Sequence, residues 1–217
     1  MPKNGLIKKG AEAYLYVEDF FGKKAIKKVR HPKSYRIEQL DRRLREARSR
    51  SEAKLLFQAK RAGVPTPVVM AVWPQEYTLI MEYVKGTLLK KLLLDPTTEK
   101  NLKKKLMGQL GVLTGMLHNE HIIHGDLTTS NAIVTPNNTL LLIDFGLGYF
   151  SSELESKGEE IRVLRGALLS VHHEEFESYF TAFKRGYVKS STDAKKILQR
   201  AKDIAQRGRY VSPQSHS

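Results

Sequence analysis

Two short motifs joined by one hairpin constrain this chain more than anything else in it. His124-Gly125-Asp126-Leu127-Thr128-Thr129-Ser130-Asn131 lies between a leucine-striped helical segment and an apolar strand. Leu141-Leu142-Ile143-Asp144-Phe145-Gly146 follows, with Asp144 standing 13 residues beyond Asn131. Taken singly, the first motif is a helix-to-strand loop with capping polar residues, and the second is a strand that ends on a turn. In this order they supply a carboxylate that can orient an acceptor and take its proton (Asp126). Across a tight loop comes an amide that can bind a metal (Asn131), and then a strand-end carboxylate beside a glycine, suited to a hard cation that prefers oxygen (Asp144). Transfer of a phosphoryl group needs little covalent help from protein. It needs charge neutralised and atoms aligned, and these groups do both. His124 is expected to buttress the loop rather than react.

The pair matches the catalytic-loop and Asp-Phe-Gly pattern of protein kinases. That pattern calls for a strand lysine held by a helix glutamate. Ala25-Ile26-Lys27 supplies an apolar pair followed by a lysine, and Glu52 lies 25 residues later on a long helix, beside Leu55. Lys27 and Glu52 are the expected pair. Lys28, on the opposite strand face, is the rival for the lysine role. The loop expected over the phosphates is Lys8-Lys9-Gly10-Ala11-Glu12-Ala13, with one glycine where typical kinases carry three. Glu12 would repel phosphates unless a cation or Lys27 intervenes. Architecture places the inter-lobe hinge in Pro74–Gly86, with backbone groups of Glu82 and Val84 toward adenine. Only 71 residues follow Gly146, without an Ala-Pro-Glu segment. The expected fold is therefore α+β and bilobal: a small sheet with one long helix over residues 1–84, a shortened, mainly helical lobe over 85–205, and a basic, then disordered tail over 206–217.

Periodicity agrees with that division. Ala13–Val17, Lys24–Val29, Val68–Val72 and Tyr77–Met81 read as strands. Ile37, Leu40, Leu44 and Ala47 keep helical spacing, which Leu55, Leu56 and Ala59 continue with a phase drift. Leu102, Leu106, Leu110, Leu113 and Leu117 form one stripe of a second helix, ending near His118-Asn119. Ala132–Val134 and Thr139–Ile143 make a hairpin, and helices fill about 158–205. The chain has no cysteine, which excludes disulfides and thiolate metal sites and fits a reducing cytosol. No apolar run is long enough for a membrane span, and the first residues do not resemble a signal peptide. The formal charge of +14 is concentrated: residues 23–61 hold 15 Lys/Arg against 4 Asp/Glu. Such an excess suits either a polyanion or a solvated helix face.

Taken together, Leu6–Ala13 (LIKKGAEA), Ile26–Lys28 followed by His31–Arg36, Ser51–Leu56, Gly63–Pro67, His124–Asn131 and Ile143–Gly148 resemble one family, the small kinase/ATPase subunit of the KEOPS (EKC) complex, PRPK-like and in its archaeal form. The resemblance covers nearly the whole chain. It implies ATP and magnesium as cofactors, ATP hydrolysis and Ser/Thr autophosphorylation. It also implies a partner tRNA threonylcarbamoyltransferase subunit and a supporting role in threonylcarbamoyladenosine formation on tRNAs reading ANN codons, in the cytoplasm. It carries over onto Lys27, Glu52, Asp126, Asn131 and Asp144. tRNA is expected at the basic segments, most of all the tail with Arg207 and Arg209; neither DNA nor a membrane is expected as a partner. Residues 156–168 depart from the family pattern: Ser156 and Glu160 stand where it has aspartates, and Arg165 where it has an acid or lysine, so that helix should make different contacts. Two alternatives remain at this level. One is a RIO-type kinase of ribosome maturation, against which Phe145-Gly146 argues; the other is a non-catalytic RNA-binding scaffold.

Overall fold

A computed structural model describes residues 5–207. Five antiparallel strands open it: β1 (Gly5–Lys9), β2 (Ala13–Phe20), β3 (Lys23–Arg30), β4 (Val69–Trp73) and β5 (Thr78–Glu82), in the order β1-β2-β3-β5-β4. The β2–β3 turn places Phe21 and Gly22 at positive φ, the geometry of a two-residue hairpin, and the Asp19 carboxylate accepts the Gly22 N–H. Helix α1 (Glu38–Arg61) crosses from β3 to β4. It ends at Gly63 (φ 83°), where the Gly63 and Val64 N–H groups donate to the Lys60 and Ala59 carbonyls, a left-handed glycine stop.

Only the second half of α1 is core. Ala53, Leu55, Leu56 and Ala59 are buried, whereas Ile37 and Leu40 are exposed. The expected phase drift is thus a change of role: Ile37 and Leu40 face solvent, Asp41 is buried against Arg36 and Arg45, and apolar burial begins near Ala53.

Beyond β5 the chain makes β6 (Thr87–Leu88), α2 (Leu89–Leu94) and α3 (Lys100–Asn119). Gly86 lies against the Val134 carbonyl so closely that a Cβ could not be accommodated, which fixes the chain where it leaves the sheet. Leu106, Leu110, Leu113 and Leu117 of α3 are buried as the stripe predicts. Then come β7 (Ile122–Ile123), β8 (Ala132–Val134), β9 (Leu140–Leu142) and β10 (Tyr149–Phe150). β8 pairs with β6 and β9, and β7 pairs with β10. Helices α4 (Leu154–Val171), α5 (Phe176–Ser190) and α6 (Ala194–Arg207) complete it. Gln206 and Arg207, expected in a tail, belong to α6; Arg209 and the expected disordered end lie outside the described residues. The fold is α+β, a sheet with one long helix followed by a mainly helical part.

Candidate active site

A cleft of about 420 Å³ collects Gly10, Ala11 and Glu12 from the β1–β2 turn, Lys28 and Arg30 from β3, Asp126 and Asn131 from the loop after β7, and Asp144 after β9. The loop is rigidly made. Gly125 has φ 82°, and a Cβ there would collide with the Leu147 carbonyl, so only glycine fits. His124 is fully buried and lies 4.4 Å from the Phe145 ring. Its Nε2 is 3.0 Å from the Ile143 carbonyl, which can only accept. Nε2 therefore carries the proton, and Nδ1 faces the Asp126 N–H. His124 is a strut between the two motifs, as its buried position dictates.

A second strut comes from α4. One Glu160 oxygen accepts the Gly125 N–H at 2.8 Å, and the other meets His118 Nε2 at 2.9 Å. His118 Nδ1 in turn meets the Tyr187 hydroxyl at 2.7 Å. All three side chains are buried. Burial, the largest influence on the Tyr187 phenol, holds its pKa well above the ordinary tyrosine value, so the hydroxyl keeps its proton and can donate. In the divergent 156–168 stretch, Glu160 holds the catalytic loop, Ser156 bonds Ser151, and Arg165 stacks over Phe176.

The lysine expectation needs correction. Glu52, essentially fully buried, receives Lys28 Nζ on one oxygen at 2.7 Å and Arg30 on the other at 2.6 Å. Lys28 also donates to Asp144 at 2.7 Å. Lys27 instead approaches Glu18 at 3.9 Å on the other side of the sheet. Side chains alternate faces along a strand, so the apolar-pair pattern, read one residue early, selects the wrong face. Burial alone would lower the Lys28 pKa, but the Glu52 and Asp144 carboxylates outweigh it and raise it above the ordinary lysine value. Burial likewise opposes the ionised form of Asp144, and Lys28 reverses that, holding its carboxyl below the ordinary aspartate value. Both groups are charged at neutral pH. Sequence reasoning passed over Arg30 and His118 and named Glu160 only as a departure from the family pattern. The alternation of Lys28 and Arg30 on one face was a usable signal for the first; for the other two no local motif exists.

The single-glycine loop is tied to α1. Arg48 pairs with Glu12 at 2.6 Å, and Lys33 donates to the Ala11 carbonyl. Arg48 is thus the cation that Glu12 requires.

The oxygen donors fit magnesium. Asn131 donates its amide nitrogen to the Asp126 carbonyl oxygen and carboxylate (2.9 and 2.7 Å), both acceptors only, so its own oxygen remains free to ligate. The Asp144 side chain is half exposed in the cleft, at φ 64°, a left-handed conformation that aspartate tolerates. A free amide oxygen and an ionised carboxylate form the hard donor set that magnesium takes beside phosphate. Glu82 and Val84 lie outside the residues lining this cleft. The Glu82 carboxylate turns back to accept the Val68 N–H at 3.1 Å.

Comparison with known proteins matches residues 11–167 to the family described as protein kinase domain. The chain is 37% identical over 213 residues to the KEOPS complex subunit Bud32 of Pyrococcus abyssi, covering 94% of this chain and 96% of that one. It is 38% identical over 184 residues to a probable serine/threonine-protein kinase BUD32 homolog of Archaeoglobus fulgidus, covering 85% and 87%. It is also 40% identical over 212 residues to a probable bifunctional tRNA threonylcarbamoyladenosine biosynthesis protein of Methanosarcina mazei, covering 97% of this chain but 36% of that one. The chain therefore spans little more than a third of the bifunctional relatives it matches. The chain belongs to the protein kinase domain family, in its Bud32 branch.

Proposed function

We propose that this chain is an ATP-binding, magnesium-dependent atypical Ser/Thr kinase and ATPase that supports threonylcarbamoyladenosine formation in tRNA, working beside a tRNA threonylcarbamoyltransferase partner in a KEOPS-type assembly. The observation that carries the chemistry is the convergence in one cleft of Lys28 on Glu52, of Asp126 on Asn131, and of Asp144. Lys28 is placed to meet the α- and β-phosphates while Glu52 holds it. Asp126 orients the acceptor, water or a hydroxyl, and takes its proton; Asn131 fixes the Asp126 carboxylate. Asn131 and Asp144 would hold magnesium, which neutralises phosphate charge when bound. The loop of Gly10, Ala11 and Glu12 covers the phosphates, with Arg48 cancelling the Glu12 charge. Adenine contacts by the backbone of Glu82 and Val84 are part of the same proposal. The relatives' names support the tRNA role and the assembly.

The test is ATP turnover across a magnesium series, with and without the transferase partner. Asp144→Ala should abolish magnesium-dependent turnover with the circular dichroism spectrum unchanged, because Lys28 keeps Glu52 as a partner. Asp126→Ala should lower the chemical step by about 10²–10⁴ with little change in ATP affinity. Wild-type turnover in Asp144→Ala would reject the assignment and favour a non-catalytic scaffold.

A further inference from the structure

Eight of the fifteen basic side chains in residues 23–61 form ion pairs in the structure. On α1, Arg42 pairs with Glu38, Arg45 with Asp41, Arg48 with Glu12 and Arg50 with Glu46, while Arg30 is buried on Glu52. A second concentration of unpaired positive charge lies in the helical part. An open groove of about 700 Å³ runs between α3 and α5, with Lys104 and Lys105 on one wall and Arg185 and Lys189 on the other. All four side chains are exposed. None of the ion pairs among the described residues includes any of them. Among the described residues, Glu177 is the one acid that lines the groove.

Backbone packing builds this geometry. A Cβ on Gly186 would collide with the Gly108 carbonyl, and one on Gly111 with the Phe183 carbonyl. The two helices touch backbone to backbone, so the basic side chains stand as walls above a floor that includes Gly108 and Gly186. Arg185 and Lys189 are one turn apart, about 6 Å along the axis. A rail of free cations on two walls suits a chain of regularly spaced phosphates better than a single anion.

We propose that the α3–α5 groove binds the phosphate backbone of RNA and is a tRNA-binding surface of this chain. The inference rests on the proposed role in tRNA modification and names the face that serves it. Neutralising Lys104, Lys105, Arg185 and Lys189 to glutamine should weaken binding of an unmodified tRNA transcript by the full chain. It should also flatten log affinity against log salt by about 0.7–0.9 for each phosphate left without its cation, or roughly 3 for all four. The paired control Arg42→Gln/Arg50→Gln should change the slope by less than about 0.7, the value of a single phosphate. An unchanged slope in the quadruple variant beside tight wild-type binding overturns the groove and leaves the proposed function standing. Absence of wild-type tRNA binding overturns the groove too, and ATP turnover measured in parallel shows whether the kinase reading survives. Competition by poly-glutamate as strong as by tRNA at equal charge would reassign the groove to an acidic protein face and overturn the proposal. ATP turnover in the quadruple variant should match wild type, which also reports that it folds.

Discussion

Two buried polar networks hold the cleft from opposite sides, and they are built on different physics. On the sheet side, Lys28, Arg30, Glu52 and Asp144 form a chain of charges, three of them buried and the fourth half open to the cleft. On the helical side, Glu160, His118 and Tyr187 are all enclosed, and the network terminates on a backbone group, the Gly125 N–H. The first ends on a carboxylate that a ligand can reach, so it can exchange Lys28 for a new partner. The second reaches no ligand and can only fix where the catalytic loop runs. The charges that line the cleft therefore sit on one wall, and the backbone of the loop that carries Asp126 is held from the other.

The largest effect should come from breaking the charged wall at its centre. Lys28→Ala removes the cation that bridges Glu52 and Asp144, and should lower kcat/KM for ATP by about 10²–10³, the usual loss for one group that stabilises charge developing in the transition state. Lys27→Ala, one residue away on the other face, should stay within about twofold, since its ion pair with Glu18 is long and partly exposed. Steady-state ATPase kinetics on the two variants decide the matter. Equal losses, or a larger loss at Lys27, would mean that the lysine's partners are misassigned.

The wall built on Glu160 should fail differently. Glu160→Ala leaves the Gly125 N–H and His118 Nε2 buried without partners, at about 1–3 kcal/mol for each group. The urea midpoint should fall substantially. kcat should fall as Asp126 loses its frame, with the ATP KM nearly unchanged. Tyr187→Phe removes one hydrogen bond to His118 and should cost about 1 kcal/mol of stability without moving either kinetic constant much. A Glu160→Ala protein of wild-type stability but raised KM would place Glu160 in ligand binding and erase the contrast between the walls.

How much of the site is legible in the sequence follows from what each wall is made of. Asp126, Asn131 and Asp144 lie within one local stretch, so their spacing announces them, and the structure brings them into one cleft. The long helix, the leucine stripe and the β8–β9 hairpin follow from periodicity for the same reason. The lysine is misplaced by one residue because an apolar pair is a weak marker of strand face, and only register against β2 and β5 settles which side points inward. Glu160 and His118 lie 42 residues apart, and Tyr187 lies 69 beyond His118. No local pattern links residues that meet only after α3, α4 and α5 pack. Charge is visible as composition, but whether an arginine is free depends on its neighbours. That is why composition alone does not show that about half of the basic side chains at 23–61 are held in ion pairs.

The smallest effect concerns the link between the charged wall and the phosphate loop. Glu12 lines the cleft and Arg48 neutralises it from α1, but the pair is partly exposed, so its energy belongs to the range of about 0.2–1 kcal/mol for such pairs. Arg48→Ala should therefore raise the ATP KM by only about two- to fivefold, leaving kcat unchanged. The cause should be electrostatic rather than mechanical, because the loop keeps a second tether, Lys33 on the Ala11 carbonyl. Removing the unneutralised carboxylate should then undo the damage, and Arg48→Ala/Glu12→Ala should return to nearly the wild-type KM. If the double variant instead binds ATP as poorly as Arg48→Ala, Arg48 acts as an anchor and not as a counter-charge. Repeating the measurement in high salt separates the two again: screening should shrink the Arg48→Ala defect if charge is the cause and leave it in place if the loop has come loose.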